Sequence, residues 1–310
     1  MDLLQELRFA ARSLLKNRSW TAIAVVALAL GVGANVAIFS VVCLMIWIPL
    51  PYPHPEELAY VLQSNAQKGF RTASASLPEV RDWAAASSIA SIAPYQSRPM
   101  ALTGEGEPQQ IAAMQVAPEF FPTLGVGAAM GRVFLPAEGP ETESRTAVIS
   151  HELWQGMFRG QPDALGGKIR LDGRNYAIVG VMPKGFHFVY RPADVWVPLS
   201  LAAKLRERGV RTVKAVARLK PGTPAETAAA ELRAISERAE KLDPAAGTGW
   251  RAVVFPREMF LGIGARAAAK SMFGAMAFVL LIACANVASL LLARGSHRQR
   301  ELALRASLGA

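Results

Sequence analysis

Apolar residues fill two long stretches near the ends of the chain and alternate with polar residues between them. No charged residue occurs from Arg18 to Glu56, and the 28 positions from Trp20 to Trp47 are almost wholly apolar. A second uncharged run, Ser271 to Ala293, lies between Lys270 and Arg294. Both exceed the roughly 20 residues a helix needs to cross a hydrocarbon core, so transmembrane helices are predicted at 19–47 and 271–293. The apolar part of a cleaved signal peptide is only about 7–15 residues, which argues for retention of the first run. At about 1.5 Å per residue that run would extend about 42 Å, so it should tilt or project outward. Ahead of it, Leu3, Leu7, Ala10, Ala11, Leu14 and Leu15 recur at i, i+3/i+4 spacing while Arg8, Arg12 and Lys16 form a second row. That pattern predicts an amphipathic helix over 1–18, lying in the membrane interface with its cations near lipid head groups.

Residues 48–270 have the pattern of a folded α+β domain. Pro49, Pro51, Pro53 and Pro55 end the first helix and give a stiff, extended connection into the domain. Strands are predicted at Leu58–Ser64, Thr146–Ser150, Lys168–Leu171, Tyr176–Val181, Val213–Leu219 and Trp250–Phe255, with Asp172-Gly173 as a hairpin turn. Helices are predicted at Pro78–Ala86, His151–Phe158 and Pro224–Leu242, with Thr223 as candidate cap of the last. The strand and helix near the start match the β-α-β near the end. One lobe is therefore expected from both ends of the domain, with a β-rich lobe of about 90–205 inserted.

Charge sets the orientation. The net charge is +10 and the isoelectric point about 10.0, a balance that suits nucleic acid or an anionic membrane surface. Arg8, Arg12, Lys16 and Arg18 precede the first run, and Arg294, Arg298, Arg300 and Arg305 follow the second, so about half the excess sits in short flanking segments. Both termini are then cytoplasmic and residues 48–270 lie outside, in the periplasm. Basic residues of the central domain are interleaved with acidic ones, which excludes the cationic stripe of a nucleic-acid binder. Two cysteines, Cys43 and Cys284, fall inside the apolar runs and indicate neither disulfide nor metal.

Small residues recur along both predicted spans. Ala29, Gly33 and Ala37 are four apart, with Gly31 and Asn35 nearby; Ala285 and Ser289 repeat the spacing beside Asn286. Such stripes let another helix approach closely and supply polar partners within the bilayer, though the two spans could equally pack on each other.

No enzymatic constellation stands out. His151-Glu152-Leu153-Trp154-Gln155 opens like a zinc-protease helix but lacks its second His, and Gly166-Gly167-Lys168-Ile169 lacks the remainder of a phosphate loop. Gly125, Gly127 and Gly131 are one residue off a dinucleotide fingerprint and are expected in turns. The chain is expected not to be an enzyme and to hold no cofactor or metal of its own.

Several motifs in one order resemble the MacB-like and FtsX-like permeases of ABC-type transporters, in particular the long orphan permeases of acidobacterial type. They are LALGVGANVAIFS (28–40), PLPYPHPEEL (49–58), FFPTLGV (120–126), GRVF (131–134), VISHELWQGMF (148–158), YAIVGVMPKGF (176–186), WVPL (196–199), ARLKPG (217–222) and VLLIACANVASLLLARGSHRQRELALRASLGA (279–310). The resemblance implies an inner-membrane permease whose first two spans hold a two-lobed periplasmic core. Family members couple a cytoplasmic ATPase, which binds the ATP, to motion of that core in efflux or mechanotransmission. Implied partners are the ATPase subunit, further permease spans or a second permease copy, and membrane lipids. Residues 294–310 would begin the cytoplasmic coupling region, with Arg298, Arg300, Glu301 and Arg305 facing the ATPase or lipid. Family members continue past the LGA element, so the chain is expected to be the N-terminal portion of a longer permease. The alternative is a two-span receptor or adaptor with an external ligand-binding domain, an architecture that needs a signalling element after the second span.

Overall fold

A computed structural model describes residues 22, 25, 26, 29, 31–33, 35–40, 52–103, 107–139, 144–188, 193–199, 207–244, 248–256, 271–282, 284–286, 288, 289 and 292. The chain divides into two units, Pro49–Gly262 and a second formed by Met1–Ile48 with Ile263–Ala310. In the second unit the described residues of both apolar runs are helical. Among the described residues no helix is long and apolar enough to cross a membrane. The predicted helix over 1–18 and the segment 294–310, with Arg298, Arg300, Glu301 and Arg305, lie outside the described residues.

The first unit begins with β1 (Leu58–Asn65), β2 (Phe70–Ala73), α1 (Leu77–Trp83) and β3 (Ile89–Ser97). An inserted stretch follows with β4 (Met100–Leu102), β5 (Gln109–Ile111), β6 (Ala113–Val116), α2 (Phe120–Leu124), β7 (Met130–Gly131), β8 (Thr146–Ile149), α3 (His151–Phe158), β9 (Lys168–Leu171), β10 (Arg174–Val181) and β11 (Val195–Pro198). The unit closes with β12 (Lys214–Leu219), α4 (Ala225–Leu242) and β13 (Arg251–Pro256).

Sheet order explains how the chain's two ends meet. The order β13-β1-β12-β3 places β1 between β13 and β12, antiparallel to both, and β12 antiparallel to β3. Each pair joined through a helix, β1-α1-β3 and β12-α4-β13, is therefore parallel with one strand of the other pair between its members: two interleaved split β-α-β units. The sheet continues from β3 through β6, β11, β8, β10, β9 and β4 to β5, so the inserted stretch shares the sheet with the rest of the unit.

Period-two alternation gives this sheet two buried faces. Ala59, Val61, Ala215, Ala217 and Leu219 point to one side, where they pack with Leu77, Val80 and Trp83 of α1 and Ala228 and Leu232 of α4. Leu58, Tyr60, Val216, Ala93 and Tyr95 point to the other, into a core rich in aromatic rings. There Phe188 meets Phe120 at 4.8 Å and Tyr95 at 4.9 Å in edge-on contacts, and Phe121 meets Trp196 at 5.9 Å. A third core beneath α3 gathers Ile149, Ile169, Leu171, Ile178 and Val195.

Local chemistry fixes the elements. Glu79 reaches back to the Ser76 N–H at 2.9 Å and its hydroxyl at 2.8 Å, starting α1. Ser150 Oγ accepts the Leu153 N–H at 3.0 Å and caps α3, so the His151 motif builds a helix start, with the imidazole against Trp154. Asp172 and Gly173, with φ of 48° and 75°, make the tight turn joining β9 to β10. Thr223 does not cap α4: the N-cap is Pro224, without a side-chain cap, because its fixed φ already leads into the helix.

The Glu231 carboxylate on α4 accepts the N–H groups of Ser87 at 2.6 Å and Ser88 at 2.9 Å, tying α4 to the end of α1. Hydrogen bonds from Ser88 and Ser87 lower its pKa from 4.5 to about 2. A lowered carboxylate pKa contributes stability above the unfolded value and loses it as pH falls through the folded one. Glu231→Gln should therefore flatten the acid dependence of the thermal midpoint between pH 4.5 and 2. At pH 7 the loss should stay under about 1 kcal/mol, because this half-buried carboxylate lies at the surface, where water screens it. In the buried aromatic core, Phe188→Ala should cost about 3–5 kcal/mol in denaturant unfolding. At the half-exposed Phe70 the same change should cost under about 1.5 kcal/mol.

Candidate functional site

The first apolar run leads into the folded unit through residues 49–57, and three motifs from distant parts of the sequence converge on that incoming segment. Alternating prolines restrict its backbone, so few contacts suffice to hold it. Tyr52 turns inward: its ring is 5% exposed, meets Phe186 edge-on at 6.2 Å, and its hydroxyl donates to the His187 carbonyl. Burial pushes the phenol well above its ordinary pKa, so it remains a donor.

Beyond Tyr52 the segment is gripped by Arg218 on β12. Its guanidinium donates to the carbonyls of Pro53 at 3.2 Å, His54 at 3.2 Å and Thr123 at 2.9 Å, and to the Glu57 carboxylate at 3.0 Å. The side chains of Arg218 and Glu57 are 15% and 19% exposed, so water screens the pair only partly. A planar fork of five N–H donors suits this arrangement of four acceptors, where the compact lysine ammonium does not. Gly125 closes the site from below. It ends α2 with φ 72°, and a Cβ there would lie 2.5 Å from Pro53 Cγ. PLPYPHPEEL, FFPTLGV and ARLKPG thus meet at one side chain, a convergence with no periodic signal in the sequence.

The outgoing connection leaves beside the incoming one. β1 pairs with β13 with Ala59 opposite Pro256 and Ser64 opposite Arg251, so β1 begins where β13 ends. Neighbouring strands are about 4.8 Å apart. The segments leading to the two apolar runs therefore meet the sheet at one corner.

The residues expected to pack helices in the membrane occupy mixed environments. In the first run Gly31 is buried, Asn35 half-buried, and Ala29, Gly33 and Ala37 exposed. Asn35 Nδ2 donates to the Gly31 carbonyl at 2.7 Å within its own helix, and its Oδ1 has no hydrogen-bond partner among the described residues. Ala285, Asn286 and Ser289 are helical and exposed.

Comparison with known proteins bears on this architecture. The family model described as the MacB-like periplasmic core domain matches residues 21–235. The crystal structure of the periplasmic region of MacB from Actinobacillus actinomycetemcomitans is similar at 13% identity and a TM-score of 0.51, over 66% of this chain and 91% of that one, a likeness of fold. The extracellular domain of the ABC-type transporter YknZ from Gram-positive bacteria aligns at 12% identity and a TM-score of 0.48, over 63% of this chain and 99% of that one. No curated protein matches the chain.

Removing the guanidinium should release the incoming segment. Arg218→Met leaves Glu57 without its cation and should lower unfolding free energy by about 3–5 kcal/mol, while Arg218→Lys should lose about 1–3 kcal/mol. Arg98→Met, at an exposed pair with Asp172, should change it by less than about 1 kcal/mol. Denaturant titration of the three variants checks the ranking.

Proposed function

This chain belongs to the family of MacB-like periplasmic core domains, and on that premise we propose that it is the external part of an ABC-type permease, anchored by two membrane helices and moved by a cytoplasmic ATPase. The observation that carries the proposal is the shared corner at which β1 begins and β13 ends. Helices attached at adjacent points of one sheet can displace the domain as a unit, whereas attachments at opposite ends would stretch it. The two apolar runs at 19–47 and 271–293 supply the anchors, and their basic flanks set the termini in the cytoplasm.

In this reading the chain binds no nucleotide. ATP is hydrolysed on a partner subunit, and segment 294–310, with Arg298, Arg300, Glu301 and Arg305, meets that subunit or the anionic lipid around it. The small-residue stripes at Ala29, Gly33 and Ala37 and at Ala285 and Ser289 receive further permease helices. Efflux or mechanical transmission across the inner membrane follows from such coupling.

Single cysteines in a Cys43→Ser, Cys284→Ser background test the arrangement. A membrane-impermeant thiol reagent applied to intact spheroplasts should label Lys184→Cys, an exposed position on the folded unit, and leave Ser296→Cys unlabelled. An ATPase subunit should co-purify in mild detergent. Labelling of position 296 in place of 184 would reverse the topology; correct topology without an ATPase would favour a two-span receptor.

A further inference from the structure

Between the two anchors of the incoming segment stands a residue in an unfavourable conformation. His54 has φ 47° and ψ 57°, the left-handed region, although it carries a Cβ and precedes Pro55. On its amino side Tyr52 is fixed in the aromatic core by Phe186 and the His187 carbonyl. On its carboxyl side Glu57 is fixed by Arg218, and its N–H donates to the His54 carbonyl at 3.1 Å. The His54 side chain is 72% exposed and contributes only a surface contact with Glu56 at 3.4 Å. Nothing packed around the imidazole accounts for the backbone; the anchors on either side impose it.

We propose that His54 is the hinge at which the folded unit yields to a pull from the first apolar run. Converting His54 from left-handed to extended backbone relieves its steric conflict and lengthens the segment by about 2 Å, the difference between helical and extended rise per residue. With Glu57 held in its ion pair, the same rotation draws Tyr52 outward along Phe186 and carries the Pro53 and His54 carbonyls away from Arg218. Pro53 then lifts off Gly125, and α2 beneath becomes accessible. The proposal rests on the permease reading for the source of the pull, but the hinge itself is a property of the folded unit.

Thr123→Cys provides the reporter. Thr123 is fully buried in α2 and its Oγ1 bonds to none of the described residues, so a thiol replaces it with little loss. Ile169→Cys, buried in β9, serves as control. The full chain in native vesicles, without its natural cysteines, is labelled with a small thiosulfonate reagent. Glycine tolerates the left-handed backbone and valine resists it, so His54→Gly should slow labelling at position 123 about three- to tenfold and His54→Val should accelerate it by a similar factor. Labelling at position 169 should stay unchanged, and ATP should accelerate labelling at 123 more with histidine at position 54 than with glycine.

A rate at position 123 indifferent to residue 54 would overturn the hinge. Parallel changes at 123 and 169 would also overturn it, because they mark global opening. Rates that respond to residue 54 but not to ATP would uphold the hinge and count against the permease reading.

Discussion

The pairing of β1 with β13 constrains everything attached to this unit. With Ala59 opposite Pro256, the chain must enter and leave the sheet at adjacent strands. The order β13-β1-β12-β3 makes that pairing possible, because β1 sits inside the sheet with hydrogen-bonded neighbours on both sides and both its faces buried. Strands in such a position open only with much of the core, so a load applied at this corner reaches the whole sheet.

Two chemically different anchors complete the corner. Tyr52 uses shape and burial, seating a ring in an aromatic core also lined by Phe121, Phe134 and Trp196. Arg218 uses directed hydrogen bonds, joining two backbone carbonyls and a carboxylate of the incoming segment to α2. Aromatic packing is non-directional, while the hydrogen-bonded fork also depends on angle, weakening steeply as N–H···O alignment falls below about 120°. The guanidinium bonds the Pro53 carbonyl ahead of His54 and the His54 carbonyl and Glu57 carboxylate at and beyond it, so the fork spans that residue.

Much of this fold was legible from pattern alone. Strand-forming runs marked β1, β8, β9, β10, β12 and β13, the Pro78 and His151 segments marked α1 and α3, and an amphipathic pattern marked α4, which buries Ala228 and Leu232. Strands β2 to β7 and β11 escaped: most have two to four residues, too few to establish a period, and the longer β3 (IASIAPYQS) is broken by small residues and Pro94, whereas the equally short β9 was marked by its Asp172-Gly173 turn. The five-residue α2 escaped too: FFPTL is apolar without polar spacing and carries an internal proline. The site was less legible than the fold. Arg218 is one arginine among many, and its acceptors lie about 95 and 165 positions away in sequence. The family motifs marked all three segments without indicating that they touch. The small-residue stripes were visible from the start, but the described residues show only one polar contact there, the intrahelical bond of Asn35.

The central claim is that the incoming and outgoing connections leave one corner of a single sheet. Spin labels on Glu56 and Pro256, both exposed, in the membrane-embedded full chain measure this directly by pulsed dipolar spectroscopy. Strand spacing and rise place the two Cα positions about 10 Å apart, so the account predicts a narrow distribution centred below about 25 Å once label length is included. A distribution centred beyond about 35 Å would separate the two connections and contradict it.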